Sequence, residues 1–322
     1  MPISRPVEPQ PAADAPILIT MGDPSGVGPE VGVAAYAAMG GYAGTHPLRL
    51  VGDADIFLAC GAIKSAIEPI AVRAVRKPGK ADPANGPAIV AAIDHAVHTA
   101  LEGYAAAVVT APIHKASLIE SGFGFPGHTE YLAHLTGAPR AVMMLAGGGL
   151  RVVPLTIHVP LSSVPALVTR EAILETARIV LVALARDFAI SHPRLAIAGL
   201  NPHAGESGAL GPEEGKTIAP AAEVLRAEGH NVIGPLPPDT MFHAEARAYY
   251  DAALCMYHDQ ALIPLKTLAF WEGVNVTLGL PVVRTSPDHG TALDIAGSGK
   301  ADSRSMIAAI EMAAAMADAR AR

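Results

Sequence analysis

The chain alternates between short apolar runs with the character of buried β-strands and longer runs with helical periodicity. Such alternation predicts an α/β/α architecture, in which helices cover both faces of a sheet. One stretch departs from it: in residues 141–159 two apolar runs meet at three glycines, with no helix between them. This pattern predicts a β-hairpin, so we expect a mixed sheet. The predicted strands lie at 17–22, 48–53 and 105–113, in the hairpin, and in the runs RLAIAGL, VIGPLPPD and AALCMY.

The length of the chain suggests two lobes. Its 322 residues are enough for one large α/β domain or for two of ordinary size. Helices are expected at 27–39, 86–102, 113–120, 169–188 and 302–319. We expect a first lobe at 17–130 plus 265–322, a second lobe at 131–264 and a cleft between them. A proline-rich, disordered tail is expected at 1–16.

The composition favours self-association and argues against nucleic acid or a membrane as a partner. Hydrophobic residues are 51% of the chain and charged residues only 16%, which leaves little charge to cover a monomer, so we expect an oligomer. The net charge is -7 and no basic stripe is present, which argues against a nucleic-acid surface. No apolar stretch reaches membrane length without glycine, proline or charge, and the N-terminus lacks an apolar signal core. We therefore expect a cytoplasmic protein with no membrane partner.

Three histidines follow apolar runs of the kind that form buried strands: His158 in VVPLTIHVPL, His203 in LAIAGLNPHAGE and His258 in AALCMYHDQALIP. Open α/β sheets place their ligand sites at the carboxyl ends of the strands. Three neutral imidazoles can hold zinc or another divalent ion and leave a position for water or substrate. The alternative is that each histidine is a hydrogen-bonded structural group. The polar residues beside all three favour the metal site.

The segment MGDPSGVGPE, residues 21–30, follows a predicted strand and opens a predicted helix. Its glycines would allow close backbone approach to an anion at the helix N-terminus. It lacks the lysine of a Walker loop and the spacing of a dinucleotide fingerprint. A tight structural turn and a ligand-binding loop both remain open.

A second motif, GHTEYLAHLTG, places His128 and Thr129 at the entry of a helix. These side chains either cap the helix or form hydrogen bonds to a polar substrate.

Further polar residues cluster in YHDQALIPLK, where His258, Asp259, Gln260 and Lys266 are expected within one turn region. A core has no need of so many polar groups. The later run 274–297 adds Asn275 and Arg284. Arginine grips phosphate or carboxylate with two hydrogen bonds, whereas lysine supplies a point charge. A surface salt bridge is the alternative for either cation.

Six segments together resemble the 4-hydroxythreonine-4-phosphate dehydrogenase family, the NAD-dependent enzymes of vitamin B6 biosynthesis. They are MGDPSGVGPE, GHTEYLA, LNPHAGE, GPLPPDTMF, YHDQALIPLK and VNVTLGLPVVRTSPDHGTALDIAG, and the resemblance runs from about residue 17 to about residue 315. The resemblance implies a two-lobed, isopropylmalate dehydrogenase-like fold. It implies one divalent ion per site, zinc, magnesium or cobalt, on His158, His203 and His258. The implied substrate contacts are His128, Thr129, Lys266, Asn275 and Arg284.

The segment DHGTALDIAG, residues 288–297, is also similar to the cofactor loop of isocitrate and isopropylmalate dehydrogenases. This similarity implies that the adenosine half of NAD lies near four residues, namely His289, Gly290, Thr291 and Asp294. An acidic partner suits a free ribose and a cationic partner suits a 2′-phosphate, so NAD is expected rather than NADP. Lys300 and Arg304 lie just beyond the loop.

The reaction that the family resemblance implies is oxidation and decarboxylation of 4-phosphooxy-L-threonine (4-hydroxythreonine 4-phosphate) to 3-amino-2-oxopropyl phosphate. It also implies a homodimer with shared active sites, in which His258 comes from one subunit and His158 and His203 from the other. A base must take the hydroxyl proton. Asp259, Asp239 and a metal-linked water remain open for that role, and Lys266 supplies positive charge.

Two alternatives to this function stay open. Relatives of the family oxidise 4-phospho-threonate or 4-phospho-erythronate with nearly the same motifs. The other alternative is a non-catalytic protein that binds a phosphorylated metabolite on the same fold, against which the intact set of candidate residues argues.

Overall fold

The structure is a computed structural model that describes residues 8–322. The chain divides into two compact units: unit 1 comprises the residues up to Ala141 together with Val274–Arg322, and unit 2 is Val142–Gly273. Both boundaries of unit 2 fall later in the chain than the expected 131–264. The helix that starts at His128 packs into the core of unit 1, and the helix that starts at His258 continues past Pro264.

The described residues form twelve strands and eleven α-helices. The strands are β1 (Ile17–Thr20), β2 (Tyr42–Ala43), β3 (His46–Gly52), β4 (Ile67–Pro69), β5 (Ala107–Thr110), β6 (Val142–Gly147), β7 (Leu150–Thr156), β8 (Arg194–Ala198), β9 (Asn231–Leu236), β10 (Ala252–Tyr257), β11 (Val274–Leu278) and β12 (Val283–Pro287). The helices are α1 (Gly28–Ala38), α2 (Ala54–Ala59), α3 (Gly86–Leu101), α4 (Lys115–Glu120), α5 (His128–Thr136), α6 (Val164–Leu167), α7 (Arg170–Asp187), α8 (Ala219–Ala227), α9 (Ala244–Arg247), α10 (His258–Ala269) and α11 (Arg304–Arg320).

In unit 1 the strand order is β2-β3-β1-β5-β12-β11, with β4 beside β3. Strands β3, β1, β5 and β12 are parallel, and β11 is antiparallel to β12. Alternate residues of β1 face opposite ways: Leu18 packs with the apolar side of α3, whereas Ile19 faces α1, where a Cβ atom at Gly32 would lie 3.7 Å from its Cγ2. Helix α11 lies on the second face, where Thr285 donates a hydrogen bond to the Ala309 carbonyl. Helices therefore cover both faces, as the alternating sequence predicts.

The disordered tail expected at 1–16 reaches into residues that are held against unit 1, and its residues 1–7 lie outside the described part. The Ala15 carbonyl is bonded to His46 Nδ1 at 2.8 Å, and the Pro16 carbonyl accepts a hydrogen bond from the Ala106 N–H. Ala15 is also buried. The last residues of the expected tail are thus held against unit 1 because their backbone groups pair with it.

Unit 2 contains a five-stranded sheet in the order β6-β7-β10-β8-β9. Strands β7, β10, β8 and β9 are parallel, and β6 runs antiparallel to β7. The predicted hairpin is confirmed: Gly147 pairs with Leu150, so Gly148 and Gly149 form the turn. The expected mixed α/β class is therefore confirmed. The topology also places β7, β10 and β8, the strands that precede the three histidines, side by side with their carboxyl ends at one edge.

None of the helices in residues 8–322 is both long enough and apolar enough to cross a membrane.

Candidate active site

Arg284 occupies the middle of the unit 1 sheet. The register of β12 places it beside Val108 of β5, and Thr277 of β11 is opposite it on the other side. Its Nη1 donates to Thr277 Oγ1 at 2.8 Å, and its Nη2 donates to the hydroxyl of Thr110. The Nε atom is buried and has no partner among the described residues. The guanidinium is therefore fixed in direction and keeps an unused donor.

The charge of Arg284 has no counter-ion among residues 8–322. The side chain is 2% exposed, and its hydrogen bonds go to neutral hydroxyls rather than to a carboxylate. Burial lowers the pKa of Arg284 to about 9. A buried cation without a partner is costly, and an anion bound at the guanidinium would remove that cost. This position has the properties of an anion-binding site.

His128, the first residue of α5, lies close enough to Arg284 to sense its charge. Its Nε2 atom is buried and has no hydrogen-bond partner in the described part of the chain. Burial lowers the pKa of His128 well below 6.5, and the charges of Arg284 and Lys115 lower it further. The imidazole is therefore neutral at pH 7, and its buried Nε2 is available to a ligand.

The start of α5 excludes one of the two roles that were open for His128 and Thr129, that of a helix cap. The N-cap residue is Gly127, with extended backbone, and no side chain caps this helix. Neither His128 nor Thr129 is the cap, because both lie inside the first turn. N–H groups of a first helical turn lack intrahelical acceptors, so this end of the helix suits an anion.

Lys115 is a residue that the sequence motifs did not single out. It begins α4, and its Nζ lies 3.6 Å from the position that a Cβ atom would take at Gly127. Its charge also lowers the pKa of His128. Unit 1 thus brings two cations, Lys115 and Arg284, to the same imidazole. The sequence TAPIHKAS carries no motif that would have indicated this.

The burial of His128 leads to a prediction about pH. The pKa of an unfolded histidine is near 6.5, whereas the pKa of His128 is lowered by folding, so only the unfolded chain takes up this proton just below pH 6.5. Stability of the ligand-free protein should therefore fall as the pH drops below 6.5. His128→Gln should flatten the plot of urea midpoint against pH in that range. The change in slope should correspond to up to about one proton fewer taken up on unfolding. Parallel profiles for the two proteins would show that His128 is not buried as a neutral group.

The three histidines of unit 2 all follow the carboxyl ends of neighbouring parallel strands. His158 lies two residues after β7 with left-handed backbone (φ 37), and His258 directly follows β10. The ring centroids of His158 and His258 are 5.7 Å apart within one chain. This proximity argues against the expected division that placed these two histidines on different subunits. His203 lies beyond β8, in a segment of left-handed backbone.

The two neighbouring imidazoles open onto a cavity of about 300 Å³. It is lined by Thr156, His158, Leu161, Tyr257, His258 and Asp259, with three further apolar residues. Within residues 8–322 no set of three or more histidine, cysteine or acidic side chains surrounds one point. A single chain therefore supplies a pair of neighbouring imidazoles, the type of donor that zinc or cobalt accepts.

Helix α10 replaces the expected turn region of YHDQALIPLK. Asp259 Oδ1 is 2.8 Å from His258 Nδ1, which leaves the Nε2 of this histidine available to a ligand. Lys266 lies eight residues further along the helix, about 12 Å away at 1.5 Å per residue. Its Nζ is 5.3 Å from the centroid of the Phe270 ring. Asp239, the other candidate base, is exposed in the turn after β9.

The glycine segment 21–30 and the expected cofactor loop lie together in unit 1. The Val27 N–H donates to the Thr291 carbonyl at 2.9 Å, and a Cβ atom at Gly26 would lie 2.7 Å from that oxygen. Close packing thus accounts for Gly26, which favours the structural-turn alternative for this segment. In the cofactor loop, His289 Nδ1 is bonded to the Gly290 carbonyl at 2.8 Å, and Asp294 is exposed.

A basic loop at residues 76–80, which no sequence motif indicated, packs on the same segments. The Gly79 N–H donates to the Ser25 carbonyl at 2.9 Å, and a Cβ atom at Gly297 would lie 2.8 Å from Pro78. Lys80 is exposed in this loop. Arg304, by contrast, forms hydrogen bonds with Asp302 at 2.6–3.1 Å. The loop at 76–80 is therefore another source of positive charge beside the expected cofactor loop.

Solved structures place this fold among α/β dehydrogenases. The chain matches 4-hydroxythreonine-4-phosphate dehydrogenase from Klebsiella pneumoniae with a TM-score of 0.83 and 38% identity, over 94% of this chain and 99% of that one. It matches a terephthalate 1,2-cis-dihydrodiol dehydrogenase from Burkholderia xenovorans LB400 with a TM-score of 0.66 and 31% identity, over 94% and 98% of the two chains.

The sequence identifies the family. Residues 47–313 match the family described as pyridoxal phosphate biosynthetic protein PdxA. The chain is 53% identical to 4-hydroxythreonine-4-phosphate dehydrogenase of Paracoccus denitrificans over 320 residues, which are 94% of this chain and 98% of the relative. The protein belongs to the PdxA family, and the expected family is confirmed.

Proposed function

We propose that this chain is an NAD-dependent enzyme that oxidises and decarboxylates 4-phosphooxy-L-threonine to 3-amino-2-oxopropyl phosphate. The observation that carries the proposal is its 53% identity, over nearly the whole of both chains, to a relative named 4-hydroxythreonine-4-phosphate dehydrogenase. The anion-binding position at Arg284 supports it, because the proposed substrate carries a phosphate and a carboxylate.

The phosphate is the group that best matches the cations of unit 1. Arg284 has an unused buried donor, His128 has an unused buried nitrogen, and Lys115 brings a second positive charge to the imidazole. Charge-assisted hydrogen bonds of this kind are roughly twice as strong as neutral ones. Thr129, in the first turn of α5, and Asn275, on the same sheet face as Arg284, are the neighbouring polar contacts that we propose for the substrate.

The reaction requires a hydride acceptor and a base. The carbinol carbon passes its hydride to NAD⁺, and the hydroxyl proton passes to the base, which gives a β-keto acid. The bond to the carboxylate carbon then breaks, carbon dioxide leaves, and the remaining electron pair is protonated. Asp259 lies beside His258 and Asp239 is exposed after β9, so both stay candidates for the base. We propose that Lys266 supplies positive charge to the phosphate or the carboxylate of the substrate during this reaction.

The histidines of unit 2 fit a divalent metal ion. We propose that His158, His203 and His258 hold zinc, cobalt or magnesium, and that Asp259 orients the imidazole of His258 through the 2.8 Å contact at Nδ1. Such an ion acts as a Lewis acid toward hydroxyl and carbonyl oxygens. Imidazole donors favour zinc or cobalt over magnesium among the three.

The test of the function is product formation from a defined set of substrates. We expect the enzyme to form NADH and 3-amino-2-oxopropyl phosphate fastest from 4-phosphooxy-L-threonine. The set must include 4-phospho-threonate and 4-phospho-erythronate, because a dehydrogenase named for a different substrate shares this fold. Faster turnover of either acid would reassign the substrate. Phosphate-dependent binding without turnover of any member would instead identify a binding protein.

The cofactor preference follows from the loop at 288–297. We expect kcat/KM with NAD to exceed that with NADP by about tenfold or more, the value of one charged hydrogen bond, because Asp294 lies in the loop and Arg304 is already paired with Asp302. Steady-state kinetics with both cofactors decide this. Higher kcat/KM with NADP would contradict the proposal, and Lys80→Ala would then show whether the basic loop at 76–80 is responsible.

We propose that the protein is a homodimer and that His203 completes the metal site of the partner subunit. In that arrangement His258→Ala and His203→Ala subunits should regain activity when exchanged, because one site of the heterodimer is intact. His158→Ala and His258→Ala subunits should not, since these two rings lie 5.7 Å apart in one chain. Recovery of activity by the His158→Ala and His258→Ala pair would instead support the division first expected, with His258 from one subunit and His158 and His203 from the other. Failure of the first pair after demonstrated exchange would place all three histidines in one chain.

A further inference from the structure

The segment that carries His203 has a backbone conformation that is energetically unfavourable for most residues. Residues 203–207 all have positive φ, with values of 52, 50, 80, 45 and 57 degrees, and only the third of them is glycine. L-residues adopt the left-handed region reluctantly, and such conformations persist only where the surrounding structure enforces them. The surroundings of this segment must therefore contain the groups that hold it.

Glu214 is one such group. It is a buried carboxylate, and its Oε1 accepts hydrogen bonds from the Leu200 and Asn201 N–H groups at 2.8 and 2.7 Å. Its Oε2 accepts from Asn201 Nδ2 at 3.0 Å. A Cβ atom at Gly205 would lie only 2.5 Å from Oε2, so the loop is folded tightly around the carboxylate. Glu214 thus contacts the loop on both sides of His203.

The turn that carries Glu214 is itself unusual. Residues 214–218 form a π-helical turn, a geometry that is frequent at functional sites. No apolar residue could replace the carboxylate, because two backbone N–H groups and one amide point at it.

Gln260 supplies a second link at the same sheet edge. Its Nε2 donates to the Gly199 carbonyl at 2.8 Å, and its Oε1 accepts from the Met256 N–H at 2.6 Å. The buried amide therefore ties the end of β8, which leads to His203, to the end of β10, which leads to His258.

We propose that Glu214 is a positioning residue for His203: it holds the left-handed segment so that the imidazole is presented as a metal ligand. Gln260 fixes the start of that segment to the end of β10. This inference rests on the proposed metal site. Residues that orient metal ligands usually contribute 10- to 100-fold to metal affinity, and we expect about this loss when Glu214 is replaced.

The experiment is a Co²⁺ titration, followed by visible absorption, of full-length wild type, Glu214→Gln, Glu213→Gln and His203→Ala. Glutamine keeps the size of Glu214 but directs an N–H₂ group at one of its donors. Glu213 is the matched control. It is adjacent to Glu214 and accepts one hydrogen bond from the same loop, from Asn201 Nδ2 at 2.8 Å. We expect Glu214→Gln to weaken Co²⁺ binding by about 10- to 100-fold and Glu213→Gln to change it little.

A double variant separates positioning from a general structural role. In the His203→Ala background, Glu214→Gln should weaken Co²⁺ binding no further. An equal additional loss there, or wild-type affinity in Glu214→Gln alone, would overturn the proposal.

Hydrogen exchange of the metal-free protein gives a readout that does not depend on metal. Glu214→Gln should speed exchange in residues 199–211 and leave residues 17–52 unchanged; unchanged exchange in both would also overturn the proposal.

Should Glu214→Gln fail to fold, Asn201→Asp tests the same link, because it turns the donor that faces Glu214 into a carboxylate. If wild type and His203→Ala both fail to bind Co²⁺, the proposed metal site is wrong and this role of Glu214 falls with it. Weak binding by His203→Ala beside normal binding by Glu214→Gln would remove only the positioning role.

Discussion

His258→Ala is expected to lower kcat/KM by about three orders of magnitude while the protein remains folded. The change removes one imidazole of the proposed metal site, and Lewis-acid stabilisation by a bound ion is worth several kcal/mol, at about 1.4 kcal/mol per factor of ten. His158→Ala should have a similar effect, because the two rings lie 5.7 Å apart beside the same cavity. The measurements are steady-state kinetics together with metal content after dialysis against zinc.

His98→Ala is the control for these variants. His98 is exposed on α3, where its Nδ1 is bonded to the Asp94 carbonyl at 2.7 Å, so its loss should leave both activity and metal content unchanged. Full zinc content and near-normal activity in His258→Ala would remove this residue from the metal site. A large loss of activity with full zinc content would assign His258 a role in the reaction other than metal binding.

Arg284→Met should lower kcat/KM for the phosphorylated substrate by about 10- to 150-fold, the value of a charged hydrogen bond of roughly 1.5–3 kcal/mol. The loss should be much smaller for an unphosphorylated analogue. Arg178→Met is the matched control, since this exposed arginine is paired with Glu228 on the surface. Equal losses on both substrates would show that Arg284 serves the carboxylate or the structure rather than the phosphate.

The same substitution should separate function from stability. Arg284 is a buried cation without a carboxylate partner among the described residues, and apolar replacements of buried charges are often neutral or stabilising. Ligand-free Arg284→Met should therefore melt no lower than wild type. Inorganic phosphate should raise the Tm of wild type and not that of the variant. A variant that melts much lower and still responds to phosphate would contradict the anion-binding role.

Several features of this protein follow from local sequence because burial patterns and turn chemistry are local. Apolar runs of strand length gave the positions of β1, β5, β8 and β10, and the glycines at 147–149 gave the hairpin of β6 and β7. The occurrence of His158, His203 and His258 just past strand ends could also be read from the sequence, since the apolar runs stop there. Long motifs in order were enough to indicate the family.

Local patterns misjudged some segments for equally physical reasons. The polar residues of YHDQALIPLK suggested a turn, but they lie on α10, which continues past Pro264, so Lys266 is two turns from His258. His128 and Thr129 were candidates for a cap, yet the chain enters α5 through Gly127. In both cases the helix packs against distant elements of the chain, which a short window of sequence does not contain.

What only the tertiary structure decided is which distant side chains meet. The strand order β7-β10-β8 aligns the three histidine-bearing ends, and it brings His158 beside His258 in one chain. The register of β12 buries Arg284 between two threonines, and the folding of α4 and α5 brings Lys115 to His128. Glu214 holds the segment of His203 from a separate turn. Sequence sets each residue's local conformation and burial, whereas register and strand order arise from contacts between distant parts of the chain, and these contacts select the partners.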